Sequence, residues 1–250
     1  MTNPSGSALR PEEPRGGLAG DLIVLAGTPD DDSCVPVLLR SITQFAADLL
    51  PPVSYASVTA RDQGAYATVA MSSEVALAVD EAQYADQTGP CLDALETARP
   101  TALPQIDATV KWPGFRATAR RLGLRASLSI PLFAGQGTAI AALNLYGHDP
   151  DTMAPLIAVV LATFDSSGFE GVEVDLDELD PGAFQLVSGL IRAFEIRATI
   201  QQALGVIMAV ENTNAEFAYA ILRSRAAASA LSLTAAASAL TRGQERQPPV

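Results

Sequence analysis

The stretch RATIQQALGVIM, residues 197–208, lies at the centre of the segment that decides the fold of this 250-residue chain. Just before and within it, apolar residues recur at the heptad spacing of a coiled-coil seam: Phe184, Val187, Ile191, Phe194 and Ala198. A second apolar stripe follows with a shifted phase: Ile200, Ala203, Ile207 and Val210. We therefore predict one long helix. Its first stripe faces one partner, which could be a second chain, and its second stripe faces the two helices that follow it in the same chain.

Two shorter helices are predicted after the long one. Thr213-Asn214-Ala215-Glu216 has the form of a capping box, in which the threonine oxygen accepts from a backbone amide of the first helical turn. Ser232 or Thr234 is expected to cap the last helix. Three helices joined by short turns predict an all-α bundle over residues 183–242, followed by a flexible tail at 243–250.

The preceding part of the chain alternates between helical and strand periodicity. A helix with helical apolar spacing is predicted from the Asp30-Asp31-Asp32-Ser33 caps to about Leu50, where Pro51-Pro52 stops it. Two hairpins are predicted, with a helical insert between them, and their strands lie at 53–60 with 65–71 and at 124–133 with 138–146. This order predicts an antiparallel sheet of about four to six strands with helices on its faces. The fold class is therefore α+β, a sheet domain followed by a helical bundle.

Composition and charge divide the chain further. Residues 1–20 are rich in Pro, Gly and Ser and are expected to form a flexible tail before a domain at 21–167. The net charge is −12, and the predicted linker at 168–182 holds six acidic residues and no basic one. Residues 183–250 hold six Arg and four Glu. The linker is either a solvated spacer or an acidic strap that competes for the arginines of the bundle.

The chain offers no catalytic constellation. His148 is its only histidine and precedes a turn. Haem, zinc and catalytic-triad sites usually need a histidine, so this residue is the one candidate for each. Cys34 and Cys91 are predicted to be free thiols with small apolar roles. No phosphate loop, apolar run of membrane length or secretory signal is present. We predict a cytosolic protein that is not an enzyme, has no cofactor and does not enter the membrane.

Twelve positions of the C-terminal segment share one register: Arg197, Ile200, Gln202, Ala203, Gly205, Met208, Ala218, Tyr219, Leu222, Arg223, Leu233 and Ala237. Together they resemble an ANTAR domain, the RNA-binding antitermination module of bacterial regulators. The resemblance implies that the bundle binds RNA. The candidate contacts are four arginines of the segment, Arg197, Arg223, Arg225 and Arg242, because RNA binding rests on basic contacts to phosphate.

Four motifs in the sheet region, GPCLDA at 89–94, KWPGF at 111–115, PLF at 131–133 and ALNLY at 142–146, resemble a GAF domain of the type found ahead of ANTAR. The resemblance covers about residues 35–165 and implies a sensor. A pocket between the helical insert and the sheet is where a small-molecule ligand would lie. The candidates for lining it are Tyr55, Cys91, Trp112 and Phe115.

The two-domain arrangement implies a sensor that controls an RNA-binding homodimer, which binds a hairpin in nascent mRNA and prevents termination. Four positions depart from the basic and polar pattern of the ANTAR family: Leu204, Ala226, Ala230 and Leu231. Two interpretations therefore remain. The first is a transcription antitermination regulator that binds RNA, and the alternative is a sensor and dimerisation protein whose degenerate ANTAR domain no longer binds RNA.

Overall fold

The computed structural model describes residues 16–62, 64–166 and 179–244. Its strands are β1 (Tyr55–Asp62), β2 (Ala65–Met71), β3 (Thr101–Leu103), β4 (Ala126–Phe133) and β5 (Ala139–Gly147). Its α-helices are α1 (Leu18–Ala26), α2 (Val35–Leu49), α3 (Glu74–Asp86), α4 (Pro90–Thr97), α5 (Pro113–Arg121), α6 (Pro150–Ser166), α7 (Pro181–Glu211), α8 (Ala215–Ala228) and α9 (Leu233–Gln244). A short 3-10 turn spans Ile106–Ala108.

The strands form one five-stranded antiparallel sheet in the order β2-β1-β5-β4-β3. The two predicted hairpins are confirmed as β1–β2 and β4–β5, and the outer hairpin strand β4 also pairs with the short β3. The helix before Pro51 is confirmed as α2. The α+β fold class, a sheet domain followed by a three-helix bundle, is therefore confirmed.

The two faces of the sheet differ in chemistry because side chains alternate along each strand. One face is apolar and presents Ala56, Val58, Leu128, Ile130 and Leu143 to a core that α1, α2, α6 and the start of α7 complete. The other face carries buried Ser, Thr, Asn and Tyr side chains, and the insert helices α3, α4 and α5 cover it. The sheet thus separates an apolar core from a polar layer.

Helix α7 is continuous over 31 residues and belongs to two cores. Its first half buries Ala183, Leu186 and Leu190 against the sheet domain, whereas its second half packs on α8 and α9. The prediction that the later stripe faces its own following helices is confirmed for Ile200, Ala203 and Ile207, whereas Val210 is 67% exposed. The chain itself covers part of the earlier stripe: Val187 is fully buried, and the Phe194 ring packs edge-on against Phe164, whereas Phe184 is 44% exposed.

The ends of three helices differ from the positions that local signals predict. Helix α1 begins at Leu18, inside the predicted flexible tail, because Leu18 is fully buried against α7. Helix α8 is capped by Asn214, whose side chain accepts from Phe217 N over 3.0 Å, and not by Thr213. Helix α9 continues past residue 243 to Gln244. Most of the predicted linker, all of the tail at 1–15 and residues 245–250 lie outside the described residues.

The acidic run before α2 does not cap that helix from Asp30 or Asp31. The N-cap residue is Cys34, and its backbone amide donates to Asp32 Oδ1 over 2.9 Å. Asp30 and Asp31 are therefore available for contacts elsewhere, and the structure directs both of them towards α8.

Candidate functional site

A layer of polar side chains lies between the sheet and the insert helices. At its centre is the completely buried carboxyl group of Asp80 on α3. The Tyr146 hydroxyl donates to Asp80 Oδ1 over 2.6 Å, and the Thr68 hydroxyl donates to Oδ2 over 2.8 Å. The Asn144 amide also donates to Oδ1, over 3.3 Å. These bonds tie α3 to strands β2 and β5 through a single carboxylate.

Burial controls the ionisation of this layer. It raises the pKa of the Asp80 carboxyl from an ordinary 3.8 to about 6, although the hydrogen bonds that Asp80 accepts oppose the rise. Burial also raises the pKa values of the Tyr84 and Tyr146 hydroxyls and of the Cys91 thiol above their ordinary range. Of these four groups, Asp80 alone changes its charge near neutral pH.

Three buried atoms of the layer have no hydrogen-bond partner among the described residues: Ser127 Oγ, Ser129 Oγ and Asn144 Oδ1. Ser129 lies opposite Asn144 in the β4–β5 pair, and Ser127 lies opposite Tyr146. Directly opposed residues in an antiparallel pair share a face, so all of these side chains lie on the Asp80 side of the sheet. An unpaired buried polar group costs about 1–3 kcal/mol. These three atoms are therefore the unsatisfied part of the polar layer.

The four predicted pocket residues lie around this layer. Trp112 and Phe115 are buried in one apolar cluster with Tyr146, and the half-buried Tyr55 packs against that cluster. Cys91 is buried in an adjacent cluster beside β5. These side chains form apolar clusters beside the polar layer, whereas the polar groups of the layer come from residues that the sequence patterns did not single out.

The sequence holds a feature that points to Asp80 and Gln83: both lie at helical spacing on the face of α3 that is buried. The buried residues of α3 are Ala76, Val79, Asp80 and Gln83, which recur at intervals of three and four. Gln83 Oε1 accepts from Cys91 N over 3.0 Å, and its Nε2 donates to the Tyr146 hydroxyl over 3.3 Å. Two polar residues on the apolar face of an insert helix are thus the sequence feature that predicts the polar layer.

The C-terminal helices dock on the sheet domain through α8. Arg223 Nη1 lies 3.0 Å from Asp31 Oδ2, and the Tyr219 hydroxyl donates to Asp30 Oδ1 over 3.3 Å. The hydrogen bond to Asp31 raises the pKa of the Arg223 guanidinium, and burial raises the pKa of Tyr219 to about 12. One predicted RNA contact, Arg223, therefore faces the loop between α1 and α2.

Arg197 on α7 also faces the sheet domain. Its Nε donates to Gly137 O over 2.8 Å, and its guanidinium carbon lies 4.1 Å from the centroid of the Phe133 ring. One turn further along, Gln201 Nε2 donates to Gln136 O over 2.6 Å. An arginine stacked on an aromatic ring with a carbonyl acceptor is well suited to hold two elements together. Arg197 thus fastens α7 to the β4–β5 turn.

The remaining two arginines lie elsewhere on the bundle. Arg225 Nη2 is 2.9 Å from Glu211 Oε1, which joins α8 to the end of α7. Arg242 is exposed in the last turn of α9. Because Arg223 and Arg225 are two positions apart on one helix, they point in different directions. The structure does not bring the four predicted RNA contacts together into one patch.

The four positions that depart from the ANTAR pattern fall into two groups. Leu204 is 3% exposed and Ala226 is 6% exposed, and both belong to the core of the bundle. Ala230 and Leu231 are exposed at the junction between α8 and α9, with Leu231 at 46%. Only the junction therefore bears on the surface that a nucleic acid would reach.

His148 contacts neighbouring groups of the sheet domain. Its Nδ1 lies 2.9 Å from Gly123 O, and its ring packs edge-on against Tyr55 with centroids 5.6 Å apart. Within residues 16–62, 64–166 and 179–244, the side chains of His, Cys, Asp and Glu form no group of three that could hold a metal ion. No helix in the described part of the chain combines the length and apolar character needed to cross a membrane.

Comparison with known protein families agrees with this architecture. A model of the GAF domain matches residues 35–163, which is more than half of the chain, and a model of the ANTAR domain matches residues 189–240. No curated protein matches the sequence. The first match covers the sheet with its polar layer, and the second covers most of α7 with α8 and α9. The chain therefore belongs to the GAF–ANTAR family, in which a GAF domain precedes a C-terminal ANTAR domain.

Proposed function

We propose that the protein is a signal-responsive transcription antitermination regulator that acts as a homodimer. Its ANTAR helices bind a hairpin in nascent RNA, and its GAF domain senses a small molecule. The observation that carries this proposal is a complete ANTAR core joined to the sensor by one continuous helix, α7. A regulator of this kind needs no catalytic group, so we propose that it is not an enzyme.

The charge distribution on the bundle supports RNA binding by α8 and α9. The side chains of Arg223 and Arg225 are 41% and 44% exposed, and Arg242 is exposed on α9. The rest of the chain is strongly acidic and would repel a polyanion. The C-terminal helices, which carry Arg223, Arg225 and Arg242, are therefore the part of the chain that RNA would approach.

Replacing Arg225 by alanine is expected to weaken binding of a two-loop RNA hairpin by about 3- to 10-fold and to flatten its salt dependence. Each lost phosphate contact lowers the slope of log affinity against log salt by about 0.7 to 0.9. Fluorescence polarisation across a salt series measures both quantities. The matched control is Arg99→Ala, which removes another exposed, ion-paired arginine, the partner of Asp165. An equal loss for both variants would contradict a specific role of Arg225.

The degenerate ANTAR interpretation is the second candidate, and the exposed side chain of Leu231 favours it. An apolar residue at the α8–α9 junction suits contact with a protein more than contact with phosphates. The same titration separates the two candidates. Binding that is insensitive to salt, or absent below about 10 μM RNA, would leave the sensor and dimerisation role in place of RNA binding.

We propose that the sensed ligand binds at the polar layer beside Trp112 and Phe115. The three unpaired atoms on β4 and β5 support this, because a ligand with hydrogen-bonding groups would satisfy them. Cys91 is an unsuitable covalent attachment point, since burial raises the pKa of its thiol and keeps it protonated.

The double variant Ser127→Ala with Ser129→Ala is expected to unfold with the same free energy as the parent protein or with about 1–2 kcal/mol more. Both hydroxyls are buried without a partner, so their removal leaves no broken hydrogen bond. Urea unfolding measures this. Asn144→Ala is the control, because the Asn144 amide donates to Thr59 over 2.8 Å and its loss is expected to destabilise. A large destabilisation by the serine pair would show that the hydroxyls have partners and would count against a ligand role.

A further inference from the structure

We propose that the structure is a closed state in which the acidic loop before the GAF domain masks Arg223 from RNA. The acidic loop consists of Asp30, Asp31 and Asp32, between α1 and α2. This inference rests on the RNA-binding function proposed above and describes its regulation. The acidic loop and the turn between β4 and β5 together form the surface on which the ANTAR helices dock.

The acidic loop offers Arg223 a negatively charged oxygen, as an RNA phosphate would. Asp31 presents a carboxylate oxygen 3.0 Å from Arg223 Nη1, and a phosphate oxygen would accept from the same nitrogen. The neighbouring Asp30 accepts from the Tyr219 hydroxyl one turn earlier on α8, which fixes the helix in register with the loop. Asp32 stays bound to Cys34 N and holds the loop in shape. A phosphate that approaches Arg223 therefore competes with the Asp31 carboxylate for Nη1 and meets the negative charge of the acidic loop.

The ion pair is not the only contact that holds the closed state, since exposed ion pairs contribute little by themselves. The β4–β5 turn supplies the rest. Gly135 N donates to Thr28 O over 2.7 Å, which joins this turn to the start of the α1–α2 connection. A Cβ atom at Gly135 would lie 2.5 Å from the Tyr219 hydroxyl and 3.0 Å from Leu233, so the missing side chain permits the close approach of α8 and α9. The loop, the turn and the ANTAR helices meet at one place.

The β4–β5 hairpin connects this docking surface to the sensor site. Its strands carry Ser129 and Asn144, whose unpaired atoms face the polar layer. Its turn carries the carbonyl groups of Gln136 and Gly137, which accept from Gln201 and Arg197 on α7. A ligand that moves these strands would therefore act on the contacts that keep the ANTAR helices closed.

The first arm of the test removes the contacts of the acidic loop with α8, and the resulting variant is called the opened chain below. The full chain with Asp30→Asn and Asp31→Asn is expected to bind the two-loop RNA hairpin about tenfold more tightly than the parent protein, with a steeper salt dependence. The matched control is Glu81→Gln with Asp86→Asn. It removes two exposed negative charges from α3, which packs on β1, β2, α4 and α5. The control separates release of Arg223 from the general loss of negative charge.

The second arm locks the closed state without touching Asp31 or Arg223. A Cβ atom at Gly27 would lie 2.8 Å from Thr234 Oγ1 on α9, which places the two positions within disulfide range. The chain with Gly27→Cys and Thr234→Cys, in a Cys34→Ser background, is titrated with the same RNA before and after reduction. The oxidised form is expected to bind about tenfold more weakly than the reduced form.

The two arms together distinguish three results. Tighter binding by the opened chain together with weaker binding by the oxidised chain supports the closed state. RNA binding that neither change alters overturns this inference and leaves the RNA-binding function standing. No salt-sensitive RNA binding by any form, including the opened chain, removes the RNA-binding function and this inference with it.

Discussion

The free energy of unfolding is expected to fall by about 2–3 kcal/mol between about pH 4 and about pH 7 because of the Asp80 carboxyl group. Burial raises its folded-state pKa to about 6, against an ordinary 3.8. One pKa unit corresponds to about 1.4 kcal/mol, so the difference between the folded and unfolded values gives this loss.

The sign follows from where the proton is held. Below the unfolded pKa both states are protonated, and the stability that the proton confers is fully present. As the pH rises, the unfolded chain releases the proton first, and this stability is lost until the folded pKa of about 6 is passed. Tyr84, Cys91 and Tyr146, which surround Asp80, stay neutral in this range because burial raises their pKa values.

Urea unfolding from about pH 4 to about pH 7.5, with Asp80→Asn as the reference, isolates this group. Asparagine has a similar shape and no charge, and its carbonyl oxygen still accepts from the Tyr146 hydroxyl. The other carboxylates titrate alike in both proteins, so the difference between the two stability curves reports Asp80. A constant difference across this range would show that the Asp80 carboxyl ionises normally and that the polar layer is open to water.

Replacing Gly189 by alanine is expected to destabilise the protein by about 1–3 kcal/mol, although alanine favours a helix. A Cβ atom at Gly189 would lie 2.8 Å from Ala19 Cα and 2.9 Å from Leu22 Cδ1, so α1 would have to move away from α7. Since Leu18 and Leu22 are buried against α7, this movement opens the core at its start.

Gly205 provides a control for Gly189 in the same helix. A Cβ atom at Gly205 would meet nothing within 4 Å, so Gly205→Ala is expected to stabilise by up to about 1 kcal/mol through helix propensity alone. Thermal and urea unfolding of the two variants should therefore shift in opposite directions. A stabilising effect of Gly189→Ala would mean that α1 does not pack closely on α7.

A helix or strand is predicted well where a single periodic pattern of apolar residues covers the whole element. The alternating segments around Gly64 and around the β4–β5 turn are hairpins, and Pro51-Pro52 follows the end of α2 at Leu49. The stripe that contains Ile200 and Ile207 packs on the two following helices, because a short connection leaves successive helices side by side. The same patterns misplaced the cap of α8, where Asn214 competes with Thr213 for one turn of backbone.

The candidate sites were predicted less completely. Periodicity shows which face of a helix is buried, but it does not show what buries it. The stripe that contains Val187 and Phe194 has a heptad spacing that suits a second chain, yet the chain's own sheet domain, with Phe164, covers much of it. Similarly, the change of a basic position to Leu204 reads as a lost RNA contact, whereas the structure buries that side chain in the bundle core.

The sequence by itself determined the two domains, their order, the two hairpins and the apolar core of the ANTAR bundle, because these depend on spacing along the chain. Only the tertiary structure decided the environment of Asp80 and the partner of Arg223. Asp80 lies 66 positions before Tyr146, and Arg223 lies 192 positions after Asp31. Such pairs are set by how the sheet and helices pack in three dimensions. The stretch at 197–208 thus predicts a helix. The contacts of Arg197 with Gly137 O and the Phe133 ring determine that this arginine faces the sheet domain.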